Sequence, residues 1–123
     1  MYSIIPIKSV RIHEKTTPKL GKLLTQIKQD GYVIPVVVDR KYHVLLDGHH
    51  RYAALKKLGY KKIPAYLVDY SKVKVVTRRQ NVEITREIVI KRALSSKPFP
   101  PKTTRHIYSK KWRTVHVALE KLG

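Results

Sequence analysis

The run Asp47-Gly48-His49-His50-Arg51 carries the densest chemistry in the chain: a carboxylate, a glycine and three nitrogen-bearing side chains in succession. It follows Val44-Leu45-Leu46, a short apolar stretch suited to a buried strand, and precedes Ala53, Ala54, Leu55 and Leu58 at helical spacing. The first N–H groups of a helix have no partner inside it, and such a start attracts anions, phosphates above all. Gly48 lets the backbone approach a ligand closely, and His49, His50 and Arg51 add side-chain donors. Asp47 supplies a carboxylate that can hold a cation. A plain capped helix start, with Asp47 satisfying backbone N–H groups and Arg51 in solvent, would use some of the same residues. The succession of glycine, two histidines and arginine favours a phosphate site with an acid beside it.

Two further groups matter only if the fold brings them to this turn. Glu14 follows His13 at the end of the first predicted strand, and as a loop carboxylate near the site it would be a candidate general base for a hydroxyl. Lys102, Thr103, Thr104, Arg105 and His106 make a cation, two hydroxyls, an arginine and a histidine after a proline-rich arm. That run suits either a phosphate or carboxylate clamp or a basic tail. His43, His49, His50 and His106 lack the i, i+4 spacing and the carboxylate partner expected of a zinc site.

Stepping outward, the elements needed to position these residues are legible in the hydrophobic pattern. Residues 3–12 alternate loosely and suit an edge strand, where Pro6 is tolerated. Thr17 and Pro18 suit the cap and first position of a helix carrying Leu20, Leu23, Leu24 and Ile27 on one face and ending at Gly31. Residues 33–39 form a nearly continuous apolar strand, which Arg40-Lys41-Tyr42 turns into the strand over 44–47. A helix to Leu58 and a strand over 63–70 complete a β-α-β-β-α-β order, a compact α+β arrangement with helices packed on a mixed sheet. Beyond it, Val73, Val75 and Val76 suit a strand, 85–95 a helix and 97–101 an extended segment. Residues 115–119 suit either a closing strand or a terminal helix.

At 123 residues the expectation is a single domain, 1–70 forming the core, 71–96 a variable segment and 97–123 completing the site. With no cysteine, disulfides and thiolate chemistry are excluded. No apolar run reaches the ~20 residues of a membrane helix, and the start lacks a signal-peptide core, so a cytoplasmic location is expected. Lys and Arg number 27 against 8 Asp and Glu, a formal net charge of +19. Such a balance suggests a polyanion partner such as nucleic acid, or the lysine-rich surface of a thermophile, and it would also favour a small anionic substrate.

With these residues in view, the chain resembles the ParB/sulfiredoxin-like superfamily and, within it, the archaeal free L-serine kinase family. The likeness lies in Leu46-Asp47-Gly48-His49-His50-Arg51-Tyr52, the Ala53-Ala54-Leu55-Lys56-Lys57-Leu58-Gly59 helix, the strand over 64–70, the Ile12-His13-Glu14 loop and Pro101-Lys102-Thr103-Thr104-Arg105-His106. The resemblance implies phosphoryl transfer from a nucleotide, with ATP favoured over ADP or pyrophosphate, to free L-serine, giving O-phospho-L-serine for amino-acid metabolism such as cysteine biosynthesis. It implies that Glu14 deprotonates or orients the serine hydroxyl and that Asp47 assists at the transferred group through Mg²⁺. Gly48, His49, His50 and Arg51 would hold the donor phosphates, and Lys102 to His106 the phosphoserine end. The segment over 71–96 is shorter than in many members, which leaves base recognition open. The alternative is a ParB-like nucleotide-dependent DNA-binding module, although only one clear helical pattern follows Tyr70 where a helix-turn-helix needs two. Sulfiredoxin chemistry needs a cysteine the chain lacks.

Overall fold

The computed structural model describes residues 2–13, 20–77, 84–95, 104–107 and 115–123, with the backbone alone at 74, 76, 77, 104, 105 and 107. Four strands form the main sheet: β1 (Ser3–Pro6), β3 (Val36–Asp39), β4 (Leu45–Asp47) and β5 (Lys62–Val68), in the order β1-β5-β3-β4. β1 lies antiparallel to β5, β5 parallel to β3, and β3 antiparallel to β4. Helices α1 (Gly21–Asp30), α2 (His49–Lys57) and α3 (Arg86–Ser95) accompany the sheet. Two two-stranded ribbons complete the described fold: β2 (Tyr32–Val33) with β8 (Val117–Ala118), and β6 (Lys74–Thr77) with β7 (Thr104–Ile107).

The strand composition explains how the sheet is buried. Successive residues of a strand point to opposite faces. Val36, Val38 and Leu45 join one apolar cluster with Ile27 of α1 and Ala54 and Leu55 of α2. Val37, Val44 and Leu46 join a second with Tyr70, Val73 and, from α3, Val89 and Ala93. Apolar residues at consecutive positions are therefore what a strand covered on both faces requires. Gly31 and Gly59 take the left-handed conformation just past α1 and α2, as expected of helix-ending glycines.

Several sequence expectations are corrected in detail. The first strand stops at Pro6; Ile7–Ser9 form a 3-10 turn, and the chain then crosses to pair Arg11 with Val44 along β4. The stretch over 33–39 is not one strand. It breaks at Ile34-Pro35, so that β2 joins β8 while β3 enters the main sheet. Pro35 has no N–H to donate and restricts Ile34 as well, which places the change of sheet there. The last strand of the core ends at Val68, with Tyr70–Lys72 in a 3-10 turn opened by the Asp69 side chain. The described part of α1 opens after Leu20 without a side-chain cap, while Thr17 and Pro18 lie outside the described residues. Of the two expectations for 115–119, the strand is observed, followed by a 3-10 turn over Leu119–Lys121.

Candidate active site

The site is built where β4 runs into α2. Gly48 has φ +104, and a Cβ there would stand 2.5 Å from Val36 Cγ1 and 3.1 Å from Arg51 Nη2. Glycine is thus required by the packing of β3 and of the arginine as well as by the left-handed turn. The ladder of α2 opens with Tyr52 N–H donating to Gly48 O at 2.9 Å, so the N–H groups of His49, His50 and Arg51 precede it at the helix start.

Arg51 is the brace of this turn. Its guanidinium donates to Asp47 Oδ2 at 3.0 Å and to the carbonyls of Ile34 and Pro35 at 3.3 and 3.1 Å. The chain's change of sheet at Ile34-Pro35 thus supplies the carbonyls that orient the arginine, and the arginine in turn orients the carboxylate. The planar guanidinium, with its fixed fork of donors, suits this three-way role. Asp47 and Arg51 both remain partly exposed.

The fold also carries His13, beyond the first strand, and His106, on β7, to the same place. His13 N–H donates to His49 Nε2 at 3.4 Å, and the two rings meet edge to face with centroids 4.6 Å apart. His106, on β7, places its ring 5.7 Å from that of His13, and β7 packs on β4. His106 Nε2 lies 2.7 Å from Tyr70 Oη in a buried hydrogen bond. Three histidines from distant parts of the sequence therefore converge behind the Asp47 turn.

Burial sets their charge. It lowers His49 to about 3 and His106 to about 4, and it drives His13 far below the imidazole range, with His49 and His106 adding to the fall. Burial likewise pushes the Tyr70 phenol above its ordinary value. All three imidazoles are neutral at pH 7, so the Tyr70 hydroxyl can donate to a neutral His106. These rings form a hydrogen-bonding and packing wall, and Arg51 is the cation described at the turn. His49, expected as a side-chain donor to phosphate, turns its ring inward and accepts from the His13 backbone N–H, leaving its own backbone N–H at the helix start.

Glu14, Lys102 and Thr103 lie outside the described residues, and Thr104 and Arg105 are described only as backbone in β7. His50 is half-buried at the opening of α2. His43 lies at the far end of β4 from Asp47, and among the described residues no group of three His, Asp or Glu side chains is arranged to hold a metal ion. In the sequence His13 stands out only as a neighbour of Glu14, and the pairing of Tyr70 with His106 is not visible there. A histidine next to the candidate base was the available signal for the first; the second joins residues 36 apart and had none.

Comparison with known proteins follows this geometry. Residues 2–84 match the model of the ParB N-terminal domain. Over 74 residues the chain is 40% identical to an ATP-dependent L-serine kinase from Staphylothermus marinus, covering 54% of this chain and 29% of that one. It is 37% identical over 75 residues to a ParB-like protein from Sulfolobus acidocaldarius, covering 60% and 38% respectively. The chain thus spans about a third of the length of these curated relatives. In three dimensions it matches a free serine kinase in complex with AMP with a TM-score of 0.85 at 18% identity, covering 99% of this chain and 93% of that one. At that identity the likeness speaks for the shared fold. Matched by the family model over more than half of its length, the chain belongs to the ParB N-terminal domain family.

Proposed function

We propose that the chain is a free L-serine kinase, forming O-phospho-L-serine from a nucleotide donor and serine. The observation that supports this reading is the convergence of His13, His49 and His106 at the Asp47 turn, since His13 directly precedes Glu14 in the sequence and His106 closes the C-terminal run. Its relatives include an ATP-dependent L-serine kinase from Staphylothermus marinus, which supports the same reading with ATP as donor.

In the proposed reaction the serine oxygen forms a bond to the terminal phosphorus of the donor while the bridging P–O bond to the nucleotide breaks. The hydroxyl proton passes to the Glu14 carboxylate, and the negative charge of the broken bond leaves with the nucleotide. Positioning and charge stabilisation make up most of the catalysis in such a transfer. The N–H groups opening α2 and the residues Gly48, His50 and Arg51 would receive the donor phosphates. Lys102, Thr103, Thr104 and Arg105 would grip the phosphoserine end, with His106 anchoring β7 through Tyr70.

Asp47 fits a role toward Mg²⁺, an ion commonly bound through one or two carboxylates and completed by substrate phosphates and water. Its partial exposure at the mouth of the turn suits that sharing of ligands. Bound there, Mg²⁺ would neutralise charge on the donor phosphates. Arg51 would keep the carboxylate aimed at the phosphates.

Phosphorus NMR of the protein with Mg²⁺, L-serine and, in parallel, ATP, ADP or pyrophosphate tests the proposal and identifies the donor. A phosphoserine resonance is expected in the ATP sample. Glu14→Gln should abolish that resonance while nucleotide affinity, measured by calorimetry, stays within about threefold. Unchanged turnover in this variant would remove Glu14 from the mechanism. The DNA-binding alternative has in its favour the ParB-like relative from Sulfolobus acidocaldarius. Against its usual form, α3 is the one α-helix beyond Tyr70 among the described residues.

A further inference from the structure

A cationic groove lies at the opposite end of β4 from Asp47. It is an open hollow of about 490 Å³ lined by Lys8, Ser9, Arg11, Lys41, Tyr42 and His43. Three cationic side chains and an imidazole border it, and among the described residues that line it there is no carboxylate. Lys8, Arg11, Lys41 and Tyr42 are all exposed, so the cations face solvent rather than the core.

The groove is built on a rigid frame. Asp39, almost wholly buried, accepts from the backbone N–H groups of Lys41 and Tyr42 through Oδ2 and of Val44 through Oδ1, at 3.1, 3.0 and 2.6 Å. That network fixes the turn presenting Lys41, Tyr42 and His43. His43 takes φ +55, a conformation uncommon for a residue other than glycine, and Ser9 Oγ lies 3.0 Å from its Nδ1. Across the groove Arg11 is held by its own backbone, its N–H donating to His43 O at 2.9 Å and its carbonyl accepting from Leu45 N–H at 2.8 Å. Lys41 Nζ rides 5.2 Å from the centre of the Tyr42 ring, placing an ammonium and an aromatic face together at the rim.

We propose that this groove binds the backbone of a single-stranded nucleic acid, with Lys8, Arg11 and Lys41 on successive phosphates and Tyr42 against a base. A cationic track beside an exposed aromatic ring is the physical pattern of sequence-tolerant strand binding. The net charge of +19 supplies the long-range attraction, and the groove the short-range contacts. His43 precedes β4 and Asp47 ends it, so the groove and the Asp47 turn lie at opposite ends of that strand. The inference stands apart from the kinase reading, since none of these residues belongs to that site.

Fluorescence anisotropy of the full chain with a labelled oligo-dT or oligo-U 12-mer, read across salt concentration, tests it. Contacts from three cations predict a slope of log affinity against log salt near about −2, at about −0.7 per contact on a single strand. Arg11→Glu/Lys41→Glu should weaken binding at least about tenfold and flatten the slope by about 1.4. Lys22→Glu/Lys28→Glu, an equal change of charge on exposed α1 residues outside the groove, should leave affinity within about twofold. Urea unfolding of each variant checks that it folds, and Arg11→Gln/Lys41→Gln should show the same effect in milder form. Equal losses from both charge-reversal pairs would assign binding to overall charge and overturn the site, as would no binding by the unaltered chain at low salt. Tighter binding of a 20-base-pair duplex than of the single strand would overturn the single-strand assignment.

Discussion

Two aspartates end two adjacent strands of the same hairpin, and they are held in opposite ways. Asp39, at the end of β3, is buried and accepts from three backbone N–H groups of the turn that follows. Asp47, at the end of β4, is partly exposed and is held by the guanidinium of Arg51. A carboxylate that caps a turn cannot change partners without unfolding the turn. One held by a side chain at the protein surface can share its charge with an incoming ligand. Residue type and strand-end position are common to both, so the nature of the partner separates the structural acid from the one proposed for chemistry.

That contrast can be broken by paired substitutions. Asp47→Asn should lower the rate of serine phosphorylation about a thousandfold, equivalent to about 4 kcal/mol, while shifting the thermal midpoint by no more than a few degrees. Asp39→Asn should do the reverse. It exchanges one acceptor for an NH₂ group facing backbone donors, costing about 2 kcal/mol of stability by urea unfolding with turnover per folded molecule unchanged. If Asp39→Asn instead abolished turnover in folded protein, the division between the two acids would be wrong.

The histidine wall sharpens the contrast through pH. His49 and His106 hold folded values of about 3 and about 4, below the 6.5 of an unfolded histidine. The unfolded chain therefore binds more protons as acid is added. Stability should be complete above about pH 6.5 and decline as pH falls toward the folded values, by up to about 1.4 kcal/mol per pH unit for each histidine. Thermal midpoints measured from pH 7 to pH 5 check this, and a flat profile would show that the rings are not buried neutral. His106→Gln should reduce the slope.

Much of this was legible because local chemistry set it. The β4–α2 turn, the helix-ending glycines and the doubly buried valines follow from short-range pattern, and the turn at Arg40-Lys41-Tyr42 was read correctly. Break points were less legible. Pro35 was visible, yet nothing local indicates that the chain would change sheets there, because the alternative partner, Val117, lies far along the sequence. The Asp39 network was open to inference from an aspartate two residues before its first backbone donor, a familiar turn arrangement. Tyr70 with His106 and Arg51 with the Ile34 carbonyl were not, since each depends on tertiary placement. Gly48 was identified for its openness to ligand, whereas its packing against Val36 is a second requirement that only the fold displays.

The β6–β7 ribbon carries His106 to the histidine wall, and among the described residues it consists of two strands joined over four residue pairs. Such ribbons have little stability of their own in water. Its retention depends on packing against β4 and on the buried link between Tyr70 and His106. Amide hydrogens of β6 and β7 should therefore exchange with deuterium faster than those of β3 and β5, through openings smaller than global unfolding. Phosphoserine should slow that exchange selectively. A molecule assembled in this way would have one half of its pocket permanently folded and the other half completed by what it holds.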